Sequence, residues 1–460
     1  PEHAVQNLLI PAGFVGPVSQ LSPPNAFQIG PNTGYVWARF SLTDQQVALE
    51  WDGAGVFETG ETEDYLIEIS GSAQDNMDFG DNPDPNYPTL LANDGARHII
   101  NPNIYMGSLI DAENDGQPTS AADGDDLNNL DDEDGVTFTK PLVVGKQAFI
   151  KVKTSASGYL NAWIDFNQNG TWADAGDQIL LDIPLVAGIN NLNFAVPAGI
   201  KPGSTYSRFR FNTAGGLTYY GPADDGEVED YHLIIHPPDW GFIPSANTHL
   251  IAIPASVIFN CISLVNEDFI GTFYTNDGGD LACGGAIMWD GINNQAVIAY
   301  GDDVTTTEKD GFNETEVFTW KVYHSASGNE ETVSVLYDPL LPDYDGKFHS
   351  NGLSGLISIN KPLIITAIAN PDTICAGDPV QLDVVVTGGC GPLSYSWSSV
   401  PAGFTSSVKN PVALPVVTTT YYVTVSTNYG DSKTSSVQVV VHPLPQVDCP
   451  PFMTACEDDP

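Results

Sequence analysis

The chain has 460 residues, with 15 Lys+Arg against 58 Asp+Glu, a formal charge of −43, 44 Gly and 34 Pro. That length exceeds one hydrophobic core and predicts roughly three to five domains, while the acidity argues against nucleic acid or an anionic lipid surface as partner. A hydrophobic fraction of 42% with 10% aromatics still predicts packed cores, so the charge is expected on the loops of folded domains and not in a disordered tail.

Helical periodicity is almost absent. Short alternating runs recur instead, among them YLNAWIDF, STYSRFRF, TTYYVTVS and SSVQVVVH, and Gly, Pro, Asn and Asp clusters interrupt them at intervals of about ten residues, as in antiparallel sandwiches. The fold class predicted is all-β, as tandem β-sandwich modules of Ig-like or jelly-roll-like type. No apolar run approaches the ~20 residues of a membrane span, so no membrane insertion is expected. The start PEHAVQNLLIPAGF lacks the basic region of a signal peptide and reads as a processed or excised piece.

In chain order, residues 1–70 close on GETEDY followed by LIEI, and residues 71–236 close on GEVEDY followed by HLII. The two blocks stay parallel upstream, NLLIPAG with NFAVPAG and YVWARFSL with STYSRFRF. Residues 1–70 therefore read as the C-terminal half of the module that 71–236 complete, with strand edges that need a partner. Residues 237–361 shift to aromatic strands, 362–443 contain PDTICAGDPVQLDV and SYSWSS, and 444–460 look like a linker into a further module.

The run DFGDNPDPNYPTLLANDGARH, then DAENDGQP, DDEDGV, WIDFNQNGTWADAGD and GEVEDY, resembles the GEVED domain of secreted and cell-surface bacterial proteins, especially of Bacteroidetes type. The likeness spans 78–236 closely and 1–70 in part. Residues 362–443 resemble a PKD-like or bacterial Ig-like domain, with WSSVPAGF in place of its usual WDFGDG-type turn. These resemblances imply an extracellular or cell-surface location and export by a type IX-like route. Asp372-Thr373-Ile374 fits the short O-glycosylation signal of such proteins, and Asn313-Glu314-Thr315 fits an N-glycan sequon.

The chemistry suggested is that of a hard cation. In the loop from Asp165, side-chain oxygens fall at places 1, 3 and 5 (Asp165, Asn167, Asn169), with Gly170 at 6 and Thr171 at 7, the order by which an EF-hand-like loop wraps calcium. Place 12 is Gly176, and the closing acid, Asp177, comes one later, with Asp174 between. A second loop repeats the pattern with Asp111, Glu113, Asp115 and Gly116, and its acid Asp123 also stands at place 13. The shared departure predicts loops closed by a strand, not by a helix. Asp131, Asp132 and Asp134, and Asp224, Asp225, Glu227 and Glu229, are further candidate ligands. Residues 71–135 hold fifteen acids and one base, Arg97, a density that costs repulsion without a counter-ion. For Glu229 and Asp230, as for Glu63 and Asp64, strand alternation sends neighbours to opposite faces, and Tyr65 and Tyr231 read as core anchors.

Six cysteines predict an oxidising setting. Fifteen connectivities are open. Short loops favour pairing Cys261 with Cys283, Cys375 with Cys390 and Cys449 with Cys456. Trp397 is expected in a sandwich core. Most aromatics of 237–361 are expected inside as well, though Trp289 and Trp320, with Phe273, Tyr274, Tyr300 and Tyr323, would make a sugar-stacking platform if exposed. No GxSxG, HExxH or GxxxxGK[ST] occurs, and no enzyme is expected. The reading is a calcium-stabilised extracellular stalk or adhesin segment whose surface ligand or glycan is not legible. The alternatives are a fibre subunit that self-associates by strand complementation and a carbohydrate-binding appendage.

Overall fold

The computed structural model describes residues 7–12, 14–15, 34–48, 51, 53–69, 77–110, 112–124 and 132–444. These residues are all-β, with strands from Gly34–Thr43 to Ser432–His442 and one short 3₁₀ turn at Leu91–Asn93. Among them no helix is long and apolar enough to cross a membrane.

The buried hydrophobic side chains sort into three large clusters. The first runs from Met106 to Ile235 and lies between two sheets. One has the order Gly188–Ala195, Gln147–Thr154, Val136–Phe138; the other has the order Leu142–Val143, Glu227–His236, Gly203–Asn212, Gly158–Ile164, Gln178–Leu185. Strand Gln147–Thr154 shows why: its residues alternate exposed and buried along the whole length, which puts Ala148, Ile150 and Val152 on the core face. A small sheet of Met77–Phe79, Arg97–Ile99 and Pro222–Ala223 completes this part.

The second cluster runs from Ile251 to Ile359 inside a large sheet that includes Phe269–Thr275, Leu281–Met288, Thr319–His324 and Gly352–Asn360. Trp289 and Trp320 belong to this cluster, each 3% exposed, and the Trp320 indole donates to the Tyr337 hydroxyl at 2.8 Å. Phe273 and Tyr274 are buried too. The sugar platform is therefore corrected: these rings are buried, Tyr274, Trp289 and Trp320 in this cluster and Phe273 in a smaller one with Trp240, where their large apolar area is packed away from solvent. The third cluster, Leu363 to Val439, surrounds Trp397, as expected for an Ig-like sandwich.

Two junctions are built. Between the first and second clusters, Trp240 is fully buried against Phe269, Phe273 and Cys283, with Ile234 and Phe242 beside it, and its indole donates to Glu330 at 2.7 Å. Between the second and third, Cys261 is bonded to Cys390 across a sequence separation of 129. The sequential pairing is thus overturned for the described cysteines. Cys283 is a buried free thiol in the strand Leu281–Met288, and Cys375 is an exposed free thiol. Cys449 and Cys456 lie outside the described residues. Loop length favours near neighbours only when nothing else fixes the chain; here packing brings two distant turns together. Peptide mapping of the unreduced protein is expected to yield one cross-linked fragment containing Cys261 and Cys390, and a Cys261–Cys283 fragment would contradict the structure.

Residues Gly34–Thr43 and Gly60–Ile69 form a two-stranded ribbon in the register of Gly203–Asn212 and Glu227–His236. Arg39 faces Asp64 as Arg208 faces Asp230, and Phe40 faces Glu63 as Phe209 faces Glu229. In the full sheet two further strands flank this pair; among the described residues the ribbon has none. Phe40 is 58% exposed where Phe209 is fully buried.

Candidate metal centre

The loop 165–177 leaves strand Gly158–Ile164 and enters strand Gln178–Leu185, so its closing acid does stand at the start of a strand. Gly170 takes φ +86°, where a Cβ would also meet the Asn86 amide at 2.8 Å, so place 6 needs glycine. Trp172 anchors the loop from below, packing in a cluster with Tyr87 and Trp163, its indole donating to the Tyr206 carbonyl at 3.2 Å. These rings shut water out of one side.

The loop's oxygens are held by internal donors. Asp165, fully buried, accepts the Tyr87 hydroxyl at 2.7 Å and the Gly170 N–H at 2.8 Å on Oδ2, and the Asn169 N–H at 3.3 Å on Oδ1. Asp174 Oδ2 accepts the amides of Asn167 at 2.9 Å and Asn169 at 2.7 Å. Asn167 Oδ1 accepts the Asn169 N–H, Asn169 Oδ1 accepts the Thr171 N–H, and Thr171 Oγ1 accepts the Ala173 N–H. Asp177 is 3% exposed. Its Oδ1 takes the Phe166 N–H at 3.4 Å, and its Oδ2 has no hydrogen-bond partner. Burial, with Asp165 and Asp174 adding repulsion, pushes the Asp177 carboxyl up to about 6. An orphaned, buried carboxylate oxygen among hard oxygen donors fits a calcium-sized cation, which accepts six to eight carboxylate, amide and carbonyl oxygens. Bound there, the ion would be held by Asp165, Asn167, Asn169, Asp174 and Asp177, and would neutralise the charge that burial penalises.

The other candidates are placed differently. Asp111 and Asp131 lie outside the described residues. Glu113 accepts the Phe79 N–H at 3.0 Å, Asp115 accepts the Leu91 N–H at 2.7 Å, and Asp123 accepts the Thr119 hydroxyl at 2.7 Å. Glu113, Asp115 and Asp123 are thus turned to three different partners. Asp225 is pinned to Thr213 by 3.0 and 2.6 Å bonds, and Asp224 is exposed. Asp134 Oδ1 accepts the Ser108 N–H at 2.7 Å. Asp132, Glu227 and Glu229 are buried. Among the described residues no three His, Cys, Asp or Glu side chains close to metal-ligand spacing: the carboxylates are turned to N–H donors, and the loop's oxygen set is mixed with amides.

One constellation escaped the sequence reading. Arg208 and Asp230 form a fully buried fork, Nε to Oδ1 at 2.7 Å and Nη2 to Oδ2 at 2.6 Å, and Asp230 Oδ2 also accepts the N–H groups of Asp81 and Asn82 at 2.9 Å. A Cβ at Gly80 would lie 2.3 Å from Asp230 Oδ2, so DFGDN needs its glycine for this approach. The signal was present: Arg39 and Arg208 occupy the same place in the two aligned blocks.

Comparison with family profiles finds the GEVED domain. Residues 159–234 match it. That stretch holds the 165–177 loop and the Glu227–Asp230 signature together. Comparison with curated proteins returns no sequence match. Solved structures with some likeness include the mouse nectin-like molecule 4 ectodomain, at 11% identity over 68% of this chain and 100% of that chain with TM-score 0.18. Others are an amphioxus IgVJ-C2 molecule, at 13% over 42% and 96% with TM-score 0.16, and a Ca²⁺-stabilized adhesin of an ice-binding Antarctic bacterium, at 12% over 66% and 72% with TM-score 0.16. At such TM-scores these likenesses carry no functional argument.

Proposed function

We propose that this chain is a non-catalytic, calcium-stabilised stalk or adhesin segment of an extracellular bacterial surface protein. The observation that carries it is the Asp177 Oδ2 atom, buried without a partner inside a loop whose remaining oxygens belong to Asp165, Asn167, Asn169 and Asp174. A cation that binds only the folded loop stabilises it by RT ln(1 + [L]/Kd), about 2.7 kcal/mol at a hundredfold excess, and extracellular modules work with Kd values of roughly 10⁻⁴–10⁻³ M. The junction at Trp240 and the Cys261–Cys390 bond support a spacer role, since each ties consecutive cores together. A catalytic reading gains nothing from Cys283: burial pushes its thiol up to about 12, the wrong direction for a nucleophile. In calorimetry of the full chain, chelation is expected to lower the melting temperature of the first transition, and Asp165→Asn to remove most of that response. An unchanged melt with and without chelator would retire the reading.

The ribbon of residues 34–69 favours a second reading, assembly by strand complementation. Its apolar face, with Phe40 and Leu42 more than half exposed, is the face that the opposing sheet covers in the full module, where Phe138 packs on Phe209 and Tyr231, and its long edges are those that flanking strands pair there.

A further inference from the structure

The inward face of the strand Glu227–His236 carries a second feature that shares no residue with the 165–177 loop. Alternation puts Glu227, Glu229 and Tyr231 on the side of Phe209 and Phe211, facing the first core. Glu227 is fully buried and Glu229 very nearly so. Neither forms an ion pair with a described Lys, Arg or His; the nearby Arg208 is spent on Asp230, on the opposite face. Glu229 Oε1 accepts the Gly135 N–H at 2.8 Å, and its Oε2 accepts the Tyr231 hydroxyl at 2.8 Å. Glu227 Oε2 accepts the Met106 N–H, and Glu227 Oε1 has no hydrogen-bond partner at all. The charges that press hardest on Glu227 are acids: Glu229, Asp78 and Asp132, and Asp78 and Asp132 are themselves buried.

Burying unpaired carboxylates as anions is prohibitive, so such a group takes up a proton or is given a cation. No described Lys, Arg or His supplies that cation. A Cβ at Gly135 would lie 2.5 Å from Glu229 Oε1, so the backbone itself approaches this carboxylate closely. An all-oxygen surround selects a hard divalent ion. The ribbon provides an internal control. Glu61 and Glu63 stand in the same register but are exposed, so water solvates them and no ion is required.

We propose that Glu227 and Glu229 form a second divalent-cation site, independent of the 165–177 loop, which locks the segment around Met106 and Gly135 onto the Glu227–His236 strand.

The test is calcium titration of the chelator-stripped full chain, read by native mass spectrometry and calorimetry. The wild type is expected to take up two ions. Asp165→Asn and Glu229→Gln should each leave one, and the double variant none. Without calcium, Glu229→Gln should melt no lower than wild type because it relieves like-charge repulsion; with calcium it should fall behind. If Glu229→Gln does not fold, Glu227→Gln, which leaves the Gly135 and Tyr231 contacts in place, gives the same reading. A wild type that binds a single ion, lost in Asp165→Asn, overturns this site and leaves the loop reading standing. A glutamine variant that keeps both ions also overturns it, whereas a single ion lost only in the glutamine variants overturns the loop instead.

Discussion

Arg208→Ala is expected to lower the stability of the first core by about 3–5 kcal/mol, because removing one partner of a buried ion pair leaves the other charge uncompensated. The Arg208 guanidinium is fully buried. Besides Asp230 it donates to the Tyr219 carbonyl at 2.9 Å and the Thr89 hydroxyl at 3.0 Å, so the substitution also orphans acceptors from two further segments. The same pair on the ribbon, Arg39 and Asp64, has 47% and 43% of its side-chain surface exposed, and Arg39→Ala should leave the melting of the cores unmoved. A double replacement, Arg208→Met with Asp230→Leu, should recover only part of the loss. Isosteric apolar pairs often replace buried ion pairs at little cost, but here the N–H groups of Asp81 and Asn82 would lose their shared acceptor. Chemical denaturation of the three variants measures this directly, and equal small effects at Arg208 and Arg39 would refute the account.

What was legible in the sequence followed from local physics. Strand alternation, as in STYSRFRF and TTYYVTVS, gave the all-β architecture because one buried face imposes period two. The paired GETEDY and GEVEDY motifs gave the internal repeat down to the residue register. The loop from Asp165 was legible because its oxygens are close in sequence. What escaped depended on distant approach. The Cys261–Cys390 bond arises from how two cores abut, which no spacing encodes, and the inward turn of Trp289 and Trp320 is one of two faces that alternation alone cannot choose between. Arg208 was visible as a residue but not as a partner, since its fork needs Gly80 and the 81–82 backbone brought from over a hundred residues away.

The stabilising increment from calcium should grow by several kcal/mol between pH 5 and pH 8.5. Three carboxyls are raised in the folded state. Asp177 goes to about 6 through burial and then the repulsion of Asp165 and Asp174. Glu229 goes to about 8 through burial, against the lowering contributions of Tyr231 and Gly135 and with Asp134 and Asp132 adding repulsion. Glu227 rises well above its ordinary value through burial, then Glu229, Asp78 and Asp132. A raised carboxyl holds its proton in the folded chain after the unfolded chain has released it. Stability without calcium is therefore fullest below about pH 4, the unfolded values, and is lost as pH rises through 6 and 8. For Glu229 alone the shift from 4.5 to about 8 corresponds to roughly 5 kcal/mol gross at 1.36 kcal/mol per unit. In the proposed sites calcium would bind the ionised carboxylates, so it would compete with those protons and gain as they leave. Buried histidines act in the opposite sense: His236 is lowered to about 4 by burial, so its contribution is lost as pH falls from 6.5 to 4. That term is common to samples with and without calcium and cancels in the difference. Paired melts in calcium and in chelator across this range read the increment directly. One that stays flat, or shrinks as pH rises, would show that these carboxyls reach the folded state without an ion.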